Sequence, residues 1–268
     1  MNKDDTVVLA GGNHMPVLGL GTWQLTDNTP QIIKKALELG YKMIDTSRDY
    51  GTQPGIGQGI KQSEVLREDL YVVTKVEEMD NAYQATKQNL AELGLEYADL
   101  VLIHRPPETG VGETLWQGLI RAKAEGLAKD IGVSNYSVDQ IQGLIDISEE
   151  MPVVNQIEWS PFGYSQEMLD FCATNGIIIQ AYSPLTRSKR FDNEKLQEVA
   201  DSYGKTAAQI MIRWSIQMGS VPIVKAGKEE HLAENLDVFD FVINDKDMAV
   251  LDELNEHYSA LSRSPNYL

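Results

Sequence analysis

Short apolar runs rich in β-branched residues recur along the chain, and most of them stop at a polar residue that can take part in chemistry. Seven of these stops are, in chain order, Asp45, Lys75, His104, Ser134 with Asn135, Gln156, Tyr182 with Ser183, and Lys225. An earlier run, residues 17–20, ends in Gly21, Thr22 and Trp23. Continuous apolar runs are typical of parallel strands that are buried on both faces. The pattern therefore predicts eight parallel strands with polar side chains at their carboxyl ends.

The spacing of the stops predicts how the strands are connected. The first four stops lie about 30 residues apart, the length of a strand, a crossover helix and two turns. Helical patterns fill the shorter intervals at residues 30–39, 56–62, 82–93, 112–125, 137–147 and 166–175. The longest interval, from Tyr182 to Lys225, holds two helical patterns, at 193–203 and 206–217. Two more follow, near residues 228–236 and 245–257.

Eight such units in 268 residues match a (β/α)8 barrel, an α/β fold of about 250 residues whose reactions occur at the carboxyl ends of the strands. Residues 7–10 and 14–17 predict a β-hairpin in front of the first barrel strand, where it could close the lower end of the barrel. We predict one domain, residues 1–268, with this hairpin at its N-terminus and extra helices near its C-terminus.

The composition indicates which binding partners are disfavoured and which cell compartment is expected. The formal charge of −17, from 40 acidic and 23 basic residues, disfavours nucleic acid and anionic membranes as partners, because both bind basic surfaces. The one cysteine, Cys172, lies in a helical pattern and is expected to be a buried thiol in a reducing compartment. Neither a signal peptide nor a membrane span is expected. We therefore expect a cytoplasmic protein, and the sequence leaves its oligomeric state open.

Four side chains from neighbouring strand ends predict a reaction. Asp45, Lys75 and His104 end three consecutive runs, and Tyr50 follows the first of them. A phenol has a pKa of about 10 and needs a nearby ammonium group to stabilise its phenolate, while a carboxylate holds that ammonium charged. A histidine adds a hydrogen-bond donor for an oxygen that gains negative charge. Together they suit the protonation of a carbonyl oxygen while its carbon accepts a nucleophile or hydride.

Other functions fit the sequence less well. The four histidines are scattered and none forms a metal-ligand pair at helical or loop spacing, so no metal site is expected. A barrel hydrolase would need two acids at strand ends, and only Asp45 fits. Residues 55–59 are glycine-rich but lack the spacing of a Rossmann dinucleotide site. The acidic residues Glu77, Glu78 and Asp80 are interpreted as solvated surface.

Six segments of the chain, taken in order, resemble one protein family. They are residues 19–23 (Gly-Leu-Gly-Thr-Trp), 40–47 followed by Tyr50 and Gly51, 73–75 (Val-Thr-Lys), 99–106, 130–135 and 155–156. They closely resemble the aldo-keto reductases, and the resemblance covers nearly the whole chain. It implies reduction of aldehydes or ketones to alcohols with a nicotinamide cofactor, with Tyr50 as general acid and Asp45, Lys75 and His104 completing a catalytic tetrad.

The resemblance also implies a cofactor site. Ser134, Asn135 and Gln156 would bind the nicotinamide carboxamide, and Tyr182 would stack on the ring. The further cofactor residues that it implies are Gly21 and Thr22, Ser183 and Leu185 around the pyrophosphate, Glu234 and Asn235 at the adenine end, and Lys225 and His231 near the adenosine 2′-phosphate. Trp23 would form a wall of the substrate pocket, although a loop aromatic can also serve packing.

Two departures from the family pattern affect these expectations. Ala226 and His231 stand where the family usually has a serine and an arginine around the 2′-phosphate, so NADPH is expected first and NADH is allowed. Arg105 stands where many relatives carry tryptophan, and it would favour acidic or polar substrates if it reached the pocket; a surface role is the alternative.

A cofactor-binding regulatory subunit with slow turnover stays open as a second function. Short loops at 106–114, 186–192 and 258–268 suggest an open pocket for small carbonyl compounds.

Overall fold

The computed structural model describes residues 2–261 and contains a closed barrel of parallel strands. The barrel strands are β3 (Gly19–Gly21), β4 (Met43–Asp45), β5 (Tyr71–Val76), β6 (Ala98–Ile103), β7 (Ala128–Ser134), β8 (Val154–Glu158), β9 (Ile178–Tyr182) and β10 (Val221–Val224). Each pairs with its neighbours in chain order, and β10 closes the ring by pairing with both β9 and β3. The predicted (β/α)8 barrel is therefore confirmed.

Ten α-helices surround the barrel within the described residues. They are α1 (Thr29–Leu39), α2 (Gln53–Gln62), α3 (Ala82–Leu93), α4 (Glu113–Ala124), α5 (Val138–Ile147), α6 (Gln166–Asn175), α7 (Glu194–Tyr203), α8 (Ala207–Gln217), α9 (Glu229–Leu236) and α10 (Asp245–Asp252). The last helix is shorter than predicted. The backbone N–H groups of Glu256 and Tyr258 donate to the carbonyl oxygen of Phe162, so residues 253–258 bond to the segment after β8 instead of continuing the helix.

The predicted N-terminal hairpin closes one end of the barrel. Its strands, β1 (Thr6–Val8) and β2 (His14–Pro16), pair antiparallel. Leu9 and Met15 are buried in one apolar cluster with Met43 and with interior residues of β5 and β6. The Gln180 amide inside the barrel lies 3.0 Å from the sulfur of Met15. The hairpin therefore covers one end of the barrel, and the polar residues at the carboxyl ends of the strands lie at the opposite end.

The glycine-rich segment 55–59 lies inside α2 and serves helix packing. A Cβ atom on Gly57 would lie 2.2 Å from the carbonyl oxygen of Leu93 at the end of α3. One on Gly59 would lie 2.6 Å from the Cβ of Ile33 in α1. Because no side chain fits at these positions, glycine allows α2 to approach both neighbouring helices. This agrees with the expectation that the segment is not a dinucleotide-binding loop.

Cys172 in α6 is buried and unpaired, as expected, and burial raises the pKa of its thiol to about 12. Across residues 2–261, none of the helices combines the length and the apolar character that crossing a membrane requires.

Candidate active site

A buried ion pair lies at the carboxyl ends of β4 and β5. The Lys75 ammonium donates to both carboxylate oxygens of Asp45, each at 2.8 Å, and to the carbonyl oxygen of Thr46 at 2.9 Å. Burial disfavours the charge on Lys75, but Asp45 and Tyr50 together outweigh burial, and the pKa of Lys75 rises. The Gln156 amide donates to Asp45 as well, at 2.8 Å. Lys75 is therefore held charged in a fixed position.

Tyr50 lies directly beside this ion pair. It ends a single 3₁₀ turn (Arg48–Tyr50) that follows β4, with the Ser47 hydroxyl capping the turn. The Lys75 ammonium lies 5.1 Å from the centre of the Tyr50 ring. Burial raises the pKa of Tyr50, the charge of Lys75 lowers it, and the result is above the ordinary value of 10.0. The phenol therefore carries its proton at neutral pH, next to a cation that stabilises the phenolate.

His104 completes the group that the sequence predicts. It follows β6, its backbone N–H donates to the carbonyl oxygen of Val76, and its ring meets that of Tyr50 edge to face at 5.7 Å between centres. Its Nδ1 lies 2.8 and 2.9 Å from the two carboxylate oxygens of Glu77. The four predicted side chains thus gather around one space at the end of the barrel.

The interpretation of Glu77 and Asp80 as solvated surface is wrong. Glu77 accepts hydrogen bonds from the Ser47 hydroxyl at 2.9 Å and from Arg105 at 3.2 Å, in addition to its contact with His104. Asp80 accepts from Arg48 at 3.0 Å and from the backbone N–H of Glu77 at 2.8 Å. Alternate residues of a strand point the same way, so Glu77 follows Lys75 to the working end of the barrel. That alternation was a usable signal.

A second acid at a strand end also escaped the sequence analysis. Glu158 ends β8, two residues after Gln156, and is 5% exposed. Its carboxylate accepts from the Ser259 hydroxyl at 2.7 Å and from the backbone N–H of Ala260 at 2.6 Å. Asp45 is therefore joined by a second acid at a strand end. The hydrogen bonds of Glu158, however, hold the segment that follows α10.

The residues predicted to bind the carboxamide form a connected network. Both donated hydrogen bonds of the Gln156 amide are used, one on Asp45 and one on Gln180 at 2.9 Å, which leaves its Oε1 as an acceptor. The Asn135 amide donates to the carbonyl oxygen of His104 and to Ser134. Its Oδ1 accepts from the Tyr182 hydroxyl at 2.7 Å. Asn135 has a left-handed backbone, with φ of 64°, which asparagine tolerates well.

The loop after β9 is irregular and lies beside Trp23. Ser183 and Thr186 have positive φ values of 49°, and the Thr186 hydroxyl is buried without a hydrogen-bond partner among residues 2–261. The guanidinium group of Arg187 stacks on the ring of Trp23, 4.5 Å from its centre. Leu185 is half-buried at the same turn. Sequence reasoning did not single out Arg187, since its contact with Trp23 joins distant parts of the chain.

Gly21 and Thr22 lie buried at the end of β3. The Thr22 hydroxyl donates to the backbone carbonyl of Asp45 at 2.9 Å. A Cβ atom on Gly21 would lie 3.1 Å from Ile223. The Thr22 hydrogen bond joins the ends of β3 and β4 under the site, and the close approach of Ile223 in β10 leaves little room for a side chain at Gly21.

The residues predicted for the adenosine end lie around β10 and α9. Lys225 and Lys228 are exposed, while Ala226 is buried. His231 is exposed and lies 3.3 Å from the carboxylate of Glu234. Asn235 is buried and hydrogen-bonds Tyr41, so its side chain is directed into the packing between α1 and α9.

Arg105 lies in an acidic surrounding. It contacts Glu77 at 3.2 Å, Glu78 at 3.7 Å and Asp49 at 3.8 Å, and its side chain is 38% exposed. Potential ligand atoms of Asp49, Glu77 and His104 lie within 4.8 Å of one another, a grouping that the sequence spacing did not predict. The Arg105 guanidinium group lies within ion-pair distance of both carboxylates of that grouping.

Comparisons with known proteins agree with this fold and site. The model of the aldo/keto reductase family matches residues 17–256. A glyoxal reductase of Bacillus subtilis is 38% identical over 258 residues, which cover 94% of this chain and 93% of the relative. A solved aldo/keto reductase of Brucella melitensis matches with a TM-score of 0.89 at 36% identity, covering 93% of this chain and 99% of the other. A Bombyx mori aldo-keto reductase in complex with NADP matches with a TM-score of 0.91 at 33% identity, covering 98% of both chains.

The barrel and the polar residues at its strand ends define an oxidoreductase of the carbonyl-reducing class. The chain belongs to the aldo/keto reductase family.

Proposed function

We propose that this protein reduces aldehydes or ketones to alcohols with NADPH, with NADH as a weaker substitute, and that Tyr50 supplies the proton. The observation that carries the proposal is the buried Lys75–Asp45 ion pair beside the protonated Tyr50 phenol. When bound, the reduced nicotinamide would supply the hydride. Aspartate, tyrosine, lysine and histidine at this site suit transfer of a proton to an oxygen and do not provide an activated nucleophile.

Three residues of the proposed tetrad have a direct task in the transfer of the proton. Tyr50 gives its proton to the carbonyl oxygen, and the nearby Lys75 cation stabilises the phenolate that remains. Asp45 keeps Lys75 charged and fixed in place. Because the groups are held before a substrate arrives, little reorganisation is needed as charge develops.

The described residues fit a nicotinamide dinucleotide. A carboxamide NH₂ group needs an acceptor, and Gln156 Oε1 is the amide atom left to accept. The unpartnered Thr186 hydroxyl can donate to a phosphate, and Lys225 and Lys228 can neutralise the adenosine end. Ser134, Asn135, Tyr182, Ser183, Leu185 and Glu234 are proposed as further cofactor residues, with Gly21 and Thr22 below them. Asn235 is proposed to support the adenine end indirectly, because its side chain packs between α1 and α9.

Relatives support the same assignment. The Bombyx mori neighbour was solved with NADP, and the Bacillus subtilis relative is a glyoxal reductase, which supports a small carbonyl compound as substrate. Trp23 is proposed as a wall of the substrate pocket, since 39% of it is exposed beside the loop after β9. Arg105 is engaged by three carboxylates, so we propose that it does not bind acidic substrates. A reducing cytoplasm is the proposed location and suits the free thiol of Cys172.

The decisive variant is Tyr50→Phe. It removes the proton donor and keeps the ring, so we expect turnover to fall at least about 100-fold, because a positioned general acid contributes that much. Turnover is measured from the absorbance of the reduced cofactor with a panel of aldehydes, ketones and keto acids, and cofactor affinity from fluorescence quenching. Cofactor affinity should stay within about twofold. Unchanged turnover in the variant would refute the role of Tyr50, and slow turnover of the unaltered chain on the whole panel would favour the regulatory alternative.

A further inference from the structure

The contact between Glu77 and His104 decides how the histidine can be used. Both carboxylate oxygens of Glu77 lie within 2.9 Å of Nδ1. Glu77 is itself held by the Ser47 hydroxyl and the Arg105 guanidinium. Burial raises the pKa of Glu77, but the hydrogen bonds and charges around it prevail and lower the pKa below its ordinary value. Glu77 is therefore ionised at neutral pH.

An ionised carboxylate can only accept hydrogen bonds, so Nδ1 of His104 must carry a hydrogen. In a neutral imidazole the other nitrogen then has a lone pair and no hydrogen. Among residues 2–261 no group hydrogen-bonds Nε2, and Nε2 is not sealed from solvent. The free edge of the ring thus presents an acceptor whenever His104 is neutral.

The electrostatic surroundings favour the neutral ring. Burial lowers the pKa of His104, Glu77 opposes this, and the positive charges of Lys75 and Arg105 act in the same direction as burial. The other titratable groups nearby are Tyr50, whose ring lies at 5.7 Å, and Asp49, which belongs to the same grouping as Glu77. At neutral pH the predicted role of His104 as a hydrogen-bond donor is therefore not available to Nε2.

We propose that Glu77 is a positioning residue that fixes His104 in the Nδ1–H tautomer, so that Nε2 offers the substrate pocket a hydrogen-bond acceptor. The role of this acceptor in catalysis rests on the proposed reduction of carbonyl compounds. A neutral His104 selects substrates that carry a hydroxyl group on the carbon beside the carbonyl, because such a group can donate to Nε2. A protonated His104 donates to the carbonyl oxygen instead. Lowering the pH therefore changes which substrates the site prefers.

The tautomer can be measured without cofactor or substrate. The chain has four histidines, and a spectrum of the His104→Gln variant assigns the His104 signals by their loss. In ¹⁵N-labelled protein at neutral pH we expect Nδ1 to carry the hydrogen and Nε2 to have the shift of a bare ring nitrogen. Glu77→Gln introduces an amide that can donate to Nδ1, so the Nε2–H form should appear. Wild-type protein with the hydrogen on Nε2 would overturn the proposal.

Two aldehydes that differ by one hydroxyl group test the Nε2 acceptor during catalysis. The ratio of kcat/KM for hydroxyacetaldehyde to that for acetaldehyde should fall about tenfold in Glu77→Gln at slightly alkaline pH, because one substrate hydrogen bond is lost. In wild type this ratio should fall as the pH is lowered through the pKa of His104, and in Glu77→Gln that pH dependence should flatten. Glu77→Asp should restore part of both effects, since it keeps the charge.

The control is Glu78→Gln, because Glu78 lies beside Arg105 but does not contact His104. It should leave the ratio and its pH dependence unchanged. A ratio that moves equally in Glu78→Gln and Glu77→Gln, or in neither, would overturn the proposal. If the Nδ1–H tautomer is found but no variant and no wild-type protein reduces either aldehyde, the proposed function fails while the tautomer assignment stands.

Discussion

Breaking the Asp45–Lys75 ion pair should destabilise the protein strongly. Asp45→Asn leaves the Lys75 ammonium buried without a carboxylate partner, although the carbonyl oxygen of Thr46 still accepts from it. The new amide would also face the NH₂ group of Gln156, which now donates to Asp45 at 2.8 Å. Removing one partner of a buried pair costs about 3–5 kcal/mol, and we expect a loss of free energy of unfolding in that range. Lys75→Met should cost a similar amount, because it leaves the carboxylate unpaired.

The double variant separates pairing from burial. When Asp45→Asn and Lys75→Met are combined, no charge of the pair is left uncompensated, so the loss should be smaller than the sum of the two single losses by about 3 kcal/mol. Urea unfolding followed by circular dichroism gives the three values. Glu38→Gln is the control, since Glu38 is half exposed and lies 3.8 Å from Lys34, and it should change stability by less than about 1 kcal/mol. Additive losses, or single losses as small as that of the control, would refute the interpretation of a tightly coupled pair.

The sign of the pH dependence follows from the raised pKa of Lys75. A group whose pKa is raised on folding stabilises the fold fully below its unfolded value, here about 10.5, and loses that contribution as the pH rises through the folded value. The cost of Lys75→Met should therefore be constant around neutral pH and shrink only in strong alkali.

Three further outcomes are expected. His231→Arg should raise the ratio of NADPH to NADH affinity, because it restores a permanent phosphate donor; an unchanged ratio contradicts this. Burial raises the pKa of Glu158, so its ionised form costs stability at neutral pH, and Glu158→Gln should raise Tm by about 2 °C there but not below about pH 4; equal effects at both pH values contradict this. Gly57→Ala should lower stability by about 2 kcal/mol or more through the clash with Leu93, whereas Gly227→Ala meets ordinary contacts and should be tolerated.

Much of the fold could be predicted because the signals are local. The bounds of α3 and α6 agree with the helical patterns at 82–93 and 166–175, since asparagine or serine begins each helix and glycine ends it. The carboxyl end of α10 could not be predicted in this way. The backbone N–H groups of Glu256 and Tyr258, which follow α10, bond to Phe162, a partner 90 or more residues away that periodicity along the chain does not indicate.

The site shows the same division between local and distant information. Asp45, Lys75 and His104 could be predicted because each ends an apolar run, and a barrel brings such ends together. Glu77 was misread because acidic residues after a strand are usually solvated, whereas its two partners, the His104 ring and the Arg105 guanidinium group, come just after the next strand. Strand alternation from Lys75 indicates which way the Glu77 side chain points. It does not indicate the partners of Glu77, because the barrel brings them from another strand.

The proposed reaction transfers hydride from a nicotinamide to a carbonyl carbon. The most direct test incubates the protein with a small aldehyde and NADPH that carries deuterium at the transferred position, and analyses the alcohol by mass spectrometry. We expect one deuterium on the carbinol carbon, none there when unlabelled NADPH is used in heavy water, and almost no product from Tyr50→Phe. Alcohol without the cofactor's deuterium, or full product from Tyr50→Phe, would contradict it.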